Sequence, residues 1–273
     1  MEKIRKSIIA GSWYPDDPSI LRGDIARYIQ NVPYREMEGD IVGLIVPHAG
    51  YIYSGQVAAH AYKLIEGKKY DAVILIGPSH RIAFRGVSIY SQGAYETPLG
   101  VIPVDETIAS EMKHLSKMII DFPAAHAQEH SLEIQLPFLQ VMLGHFPFVP
   151  LVMGDQNATT CRELANVIAQ VVKDRHVLIV ASSDLSHFHD YRKAKELDGI
   201  VLRYIQDNDI EGFLDSLAHD KAEACGGGPI AVTMMSVYKL GAHRSLLLKY
   251  ANSGDVTGDK NSVVGYTSAV YYR

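Results

Sequence analysis

The 273-residue sequence has only two cysteines, Cys161 and Cys225, too few for a disulfide framework and without the paired spacing of a structural zinc site. Any chemistry at cysteine is therefore individual. No apolar run approaches the roughly 18 to 20 residues that a membrane-spanning helix needs. The opening Met-Glu-Lys-Ile-Arg-Lys also lacks the apolar stretch and cleavage site of a signal peptide, so a soluble cytoplasmic protein with no membrane partner is expected. Long basic runs are missing too. With 26 Lys and Arg against 31 Asp and Glu, for a net charge of −5, there is no electrostatic footprint for nucleic acid. Repeats, low-complexity tracts and linker-like stretches are absent, and 47% apolar with 21% charged residues excludes a disordered or collagen-like chain. The length leaves room for one large domain or two small ones, and with no boundary in the sequence one compact domain over residues 1–273 is expected. Histidine is the generous residue, with 12 copies of a side chain suited to metal ligation and proton transfer.

Four short runs rich in Val, Ile and Leu predict buried strands: Ile41 to Val46, Ala72 to Ile76, Phe148 to Met153 and Val177 to Ala181. Between and after them, helical spacing recurs over residues 56–65, 108–115, 132–143, 162–172, 194–205 and 230–240. Pro137 is expected to delay or bend the third of these. Alternation of strand and helix predicts an α/β fold with a central, mostly parallel sheet flanked by helices. Antiparallel excursions are expected over Val87 to Val104 and over the pair Arg244 to Tyr250 and Val263 to Tyr272.

Ligands of such sheets bind beyond the carboxyl ends of the strands. Three of the four runs deliver a histidine there: Val46-Pro47-His48, Gly77-Pro78-Ser79-His80, and Ser182-Ser183-Asp184-Leu185-Ser186-His187. A lone histidine after a strand is usually a hydrogen-bonding loop residue, but three at one sheet end, one with a carboxylate three positions earlier, point to a site. Cys225 precedes Gly226-Gly227-Gly228-Pro229 and a helix-like stretch. The glycines allow close backbone approach and Pro229 suits a first helical turn; a thiol near a helix N-terminus tends toward thiolate, against the alternative of a small buried hydrophobe, whereas Cys161 has no such context and reads as structural or surface. In the run His126-Ala127-Gln128-Glu129-His130-Ser131-Leu132-Glu133, Glu129 and His130 either line a pocket or belong to an acidic first helical turn. Trp13 and Tyr51 are candidate cleft walls, against the commoner use of aromatics as core.

Two chemistries fit these residues. In one, His48, His80 and Cys225 hold a divalent transition metal, iron, copper or zinc, while His187 moves protons with Asp184 fixing its tautomer. In the other, Cys225 is a nucleophile activated by His187 and Asp184, as in a thiol hydrolase. The second leaves His48 and His80 without a role.

Six motifs, in order along nearly the whole chain, resemble those of the Memo family: Gly11-Ser12-Trp13-Tyr14-Pro15, Pro47-His48-Ala49-Gly50-Tyr51, Gly77-Pro78-Ser79-His80, Glu129-His130-Ser131-Leu132-Glu133, Ser182-Ser183-Asp184-Leu185-Ser186-His187, and Cys225-Gly226 with Pro229. The resemblance implies a class III extradiol dioxygenase-like fold, related to non-haem iron enzymes that open catechol-type rings. By position, His48 and His80 match the two histidine ligands, Cys225 stands where a carboxylate ligand would be, and His187 matches the acid/base residue, accompanied by Asp184. A thiolate in that place makes a softer site, favouring copper, zinc or a differently tuned iron. The family's members are regarded either as metal-binding redox proteins or as peptide-binding proteins with a vestigial cleft. A small-molecule or peptide ligand, a pathway shared with radical-SAM and AMMECR-type proteins, and a homodimer are the partners it implies. Gly227 and Gly228 replace a basic residue and a histidine common in animal members, which implies a less charged cleft entrance.

Overall fold

The computed structural model describes residues 3–273. In chain order its strands are β1 (Ile4–Arg5), β2 (Ile41–Val46), β3 (Ala72–Pro78), β4 (Val87–Ile89), β5 (Ala94–Thr97), β6 (Gly100–Pro103), β7 (Ile119–Asp121), β8 (Phe148–Met153), β9 (Val177–Ser182), β10 (His187–His189), β11 (Arg244–Asn252) and β12 (Val263–Tyr272). The helices are α1 (Pro18–Gln30), α2 (Tyr51–Tyr62), α3 (Glu106–Leu115), α4 (Pro123–Ala127), α5 (Leu136–Leu143), α6 (Ala158–Val172), α7 (Tyr191–Asp207), α8 (Ile210–Ala218), α9 (Gly227–Lys239) and α10 (Ser253–Thr257).

The four predicted apolar runs become β2, β9, β3 and β8, adjacent and parallel in that order. Every residue of these strands is buried, which is why their sequences run continuously apolar instead of alternating. Antiparallel excursions complete both margins and make the sheet as a whole mixed. At one margin β4 runs antiparallel to β8. At the other, β12 runs antiparallel to β2, β10 and β11, giving the order β10-β12-β2-β9-β3-β8-β4-β7 with β11 on β12. The rest of the expected excursion, β5 and β6, forms a hairpin that joins β1 in a separate three-stranded sheet.

Caps set the helix starts earlier than apolar spacing alone suggests. Asn157 accepts from the Thr160 amide at α6 and Asp190 from those of Arg192 and Lys193 at α7. Pro137 lies in the first turn of α5, behind a 3-10 turn over Glu133–Gln135, so the expected helix over 132–143 divides in two. Helix α1 lacked a strong apolar pattern; Asp17 caps it, Pro18 opens it, and it buries only the stripe Leu21, Ile25 and Ile29. Helix α9 packs hard on the sheet at Gly43, where a Cβ would meet the Val237 side chain at 2.6 Å. That approach directs the N-terminal end of α9 to the carboxyl ends of β2 and β9.

One buried carboxylate ties the segment before α1 to the body. Glu133 accepts from Arg5 Nη1 (2.5 Å), Ser7 Oγ (2.6 Å), Tyr14 Oη (2.8 Å) and the amides of Ile8 and Ile9. Replacing it as Glu133→Gln leaves the buried Arg5 guanidinium without its counter-charge. The expected loss is about 3–5 kcal/mol in urea unfolding, with a red shift of Trp13 emission as the segment loosens.

His126 adds an acid sensitivity. Burial foremost, helped by Arg5, lowers its pKa to about 3, and its two ring nitrogens bond Tyr95 Oη and Ser88 Oγ. Below the ordinary value of 6.5 the unfolded chain takes up a proton that the folded chain refuses until about pH 3. Stability therefore falls on acidification across that window. The urea midpoint of His126→Gln is expected to vary less with pH between 6.5 and 4 than that of the wild type.

Candidate metal centre

The cleft opens at the carboxyl ends of β2, β3 and β9. His48 follows β2 and His80 follows β3. Cys225 stands just before α9, whose glycines allow the approach: a Cβ on Gly226 would meet the Ser182 carbonyl at 2.5 Å. The ligand atoms of His48, His80 and Cys225 all lie within 4.8 Å of one another, with Cys225 Sγ 3.0 Å from His48 Nε2. Residues 177 positions apart in the chain thus meet at one point.

Hydrogen bonds behind the rings fix which nitrogen of each carries its proton. Ser182 Oγ donates to the Ser131 carbonyl (2.6 Å) and accepts from Gln135 Nε2 (2.8 Å). Gln135 is itself oriented, because its Oε1 accepts from Tyr62 Oη and its Nε2 also donates to the Pro47 carbonyl. With its only hydrogen committed, Ser182 can only accept from His48 Nδ1, 3.1 Å away. His48 is therefore the Nδ1–H tautomer, and its Nε2 lone pair faces the sulfur. Burial, foremost, and the neighbouring imidazoles hold its pKa well below the usual value, so it is neutral.

His80 is set the same way. Glu129 accepts from its Nδ1 (2.9 Å) and from its amide (2.6 Å), leaving Nε2 free. Burial works to raise the Glu129 carboxyl, but His80 and the amides of His80 and Ser131 outweigh it and hold it at about 2. Glu129 lies in the loop between α4 and the 3-10 turn, so it serves neither as an acidic first helical turn nor as a cleft wall: it is buried behind His80.

His130 does line the cleft. It stacks on His80 at 4.5 Å and meets Trp13 in a tilted contact at 4.4 Å. Burial, foremost, lowers its pKa to about 4. With His80 and Glu129 it forms a second group of potential ligand atoms within 4.8 Å of one another.

Two sequence-level expectations fail on geometry. Asp184 does not orient His187: His187 Nδ1 bonds the Leu185 carbonyl (2.8 Å), while Asp184 Oδ1 accepts from the amides of His48 (2.7 Å) and Ala49 (3.3 Å). The Leu185 carbonyl fixes the tautomer, leaving Nε2 of His187, a residue that lines the cleft, as the acceptor. The thiol-hydrolase relay is consequently not assembled, since the imidazole bonded to Cys225 is His48. Nor does the helix N-terminus yield a low-pKa thiol. Burial, foremost, and the nearby Asp184 carboxyl push Cys225 up, against hydrogen bonds from the Asp184 amide, Ser183 and the Gly226 amide.

Burial also pushes Asp184 up to about 7, against its two amide bonds. Burial lowers His187, leaving it a neutral base at pH 7. Tyr51 is a third correction. It is buried, its hydroxyl donates to the Ile134 carbonyl, and its ring packs on Phe138 at 5.0 Å. Helix α2 starts at Tyr51, turning that ring inward and its neighbours Ile52 and Tyr53 to the cleft. Gly227 and Gly228 are buried against Leu217 and Gln156, so they do not form the entrance.

Sequence reasoning missed Ser182 and Gln135 as determinants of the His48 tautomer. It also missed Glu223, whose carboxylate accepts from the His187 amide (2.9 Å) and lies 2.8 Å from His189 Nε2. Ser182 opens the motif that runs to His187, but nothing in that motif names its partners, and Gln135 and Glu223 belong to no motif at all.

Fold and site together define a class: a parallel-centred α/β protein with two imidazoles and a thiol gathered at the carboxyl ends of its strands. Comparison with known proteins is more specific. The family model described as Memo-like protein matches residues 5–270. Curated relatives include MEMO1 family protein TV1383 of Thermoplasma volcanium, 38% identical over 99% of both chains. MEMO1 family proteins of Nitrosopumilus maritimus (38% identical, 96% of this chain and 98% of the relative) and Methanosarcina acetivorans (39%, 98% and 99%) match as fully. The chain belongs to the Memo family. Among solved structures, protein JW3007 of Escherichia coli K12 aligns with a TM-score of 0.55 at 14% identity, over 84% of this chain and 99% of that one, a likeness of fold.

Ser182→Ala removes the acceptor that sets the His48 tautomer while leaving every ligand atom in place. Zn(II) affinity, measured by competition with a chromogenic chelator, is expected to fall about 10–100-fold. Gly226→Ala, which forces the Cys225 loop away from β9, is expected to lose at least as much.

Proposed function

We propose that this protein is a metal-dependent redox protein, its metal held by His48, His80 and Cys225 and its chemistry akin to that of the ring-cleaving extradiol dioxygenases. The observation that carries this reading is the convergence of three donors with their lone pairs already selected. Both Nδ1 atoms are engaged behind, both Nε2 atoms are turned to the common point, and the Cys225 sulfur lies 3.0 Å from that of His48. Two imidazoles and one thiolate suit iron, copper or zinc, and the thiol gives up its proton on loading. A bound iron or copper ion supplies Lewis acidity and one-electron redox chemistry.

The remaining residues handle protons and exclude water. His187, neutral and with Nδ1–H on the Leu185 carbonyl, accepts a proton at Nε2 from a substrate hydroxyl, and that carbonyl stabilises the imidazolium so formed. Asp184, poised at about 7, holds or releases a proton on the carboxyl oxygen that faces His48, Oδ2 being 4.0 Å from its Nε2. Trp13 and Tyr266 wall the cleft against bulk water.

A non-catalytic binding role is the second reading, favoured by the exposed apolar residues Ile52 and Phe188, 69% and 76% accessible. It extends to partners in a radical-SAM and AMMECR-type pathway, or to a second copy of the chain.

Metal analysis of protein purified without chelator separates the readings. Wild type is expected to carry about one iron, copper or zinc per chain, and His48→Ala and Cys225→Ala to lose it. His187→Ala is expected to keep the metal and lose any metal-linked turnover. Equal metal content in wild type, His48→Ala and Cys225→Ala would remove the ligand set.

A further inference from the structure

Phe188 is held in a conformation that its side chain disfavours. Its φ is +64°, in the left-handed region where a bulky residue is a genuine outlier and glycine would be relaxed. Both neighbours are pinned. The His187 amide and the His189 ring share the Glu223 carboxylate, and the two residues pair with Val264 and Val263 across a register shift that falls at Phe188. The ring gains no burial in return: it is 76% exposed, 5.6 Å from the ring of His187. A costly backbone that displays a phenyl group against His187, a residue that lines the cleft, points to use of the side chain.

The cleft beside it has one chemical character. It measures about 450 Å³, within the range of small-molecule sites. Trp13, Ile52, Tyr53, Val264 and Tyr266 supply apolar wall, and among the described residues no Lys or Arg lines it. The cation that acts on His130, Arg81, stands exposed on the loop beyond His80. Apart from four imidazoles, the acid on its lining is Asp184, which supplies no positive charge against a buried anion.

We infer that the cleft takes an uncharged aromatic ring in preference to a carboxylate- or phosphate-bearing one, and that Phe188 is the residue that decides this specificity by closing over the bound ring. The inference deepens the proposed function by naming a substrate class for the same cleft, but it concerns the walls and not the metal ligands, so it can be tested apart from them.

Trp13 is the sole tryptophan and lines the cleft, which makes its fluorescence a reporter of occupancy. The probes are 4-nitroanisole and 4-nitrobenzoate, quenchers that share a ring and differ in charge, and neither is a chelating diol. With chelator-treated wild type, 4-nitroanisole is expected to quench saturably and 4-nitrobenzoate to bind at least about tenfold more weakly, the cost of burying an unpaired carboxylate. Phe188→Gly relieves the backbone, so its Tm is expected to equal or exceed that of wild type while 4-nitroanisole affinity drops about fivefold or more. Phe188→Tyr is expected to retain the affinity. Non-saturable quenching, tighter or equal binding of 4-nitrobenzoate, unchanged affinity in Phe188→Gly, or a fall in its Tm would each overturn the inference. Metal loading by His48, His80 and Cys225 is measured separately, so either idea can fail without the other.

Discussion

A neutral imidazole has one proton, and its placement decides which nitrogen can donate a lone pair. In this protein Ser182 makes that decision for His48. Its single hydrogen is spent on the Ser131 carbonyl, and Gln135, fixed by Tyr62, occupies part of its accepting capacity. The ring can then bond only as a donor through Nδ1. Glu129 exerts the same control over His80, with the added force of charge, and it also holds that residue's amide. The geometry of the centre is thus built one layer behind the atoms that would touch a ligand, in residues that are almost wholly buried. Such supports make a site rigid and its protonation definite.

The sulfur donor is governed differently. Burial and the Asp184 carboxyl favour the protonated thiol, and the short contact with His48 Nε2 gives that proton an acceptor. Thiol and imidazole are therefore paired in the absence of a cation, which lowers the desolvation cost of keeping both donors together. A cation that displaces the proton finds them already aligned.

Much of the framework could be read from the chain alone, because the central strands are buried on both faces and announce themselves as continuous apolar runs. His48 and His80 were legible for the same reason: they follow those runs directly. Cys225 was legible through the glycines that let it approach β9. The errors came where direction, and not proximity, decides the role. Asp184 is three residues from His187, yet its carboxylate turns to the His48 and Ala49 amides. Tyr51 adjoins the His48 motif, but a helix beginning at that residue rotates it into the core. Glu223 carries no motif at all, and its importance comes from a contact with a loop 36 residues away. Spacing along a chain reports which residues share an end of a sheet; it does not report which way they face.

The strand order has a consequence for how the centre comes into being. β12, the last strand of the chain, is inserted between β10 and β2, so β10, which bears His187, has no strand to pair with until residues near Val264 have been synthesised. Cys225 also arrives late, after His48 and His80 have long left the ribosome. The early two-thirds of the nascent chain can form the β2-β9-β3-β8 platform by pairings already available, but the cleft is completed by contacts of high sequence separation, which form slowly. A cation held by His48, His80 and Cys225 together would be acquired by a nearly finished polypeptide.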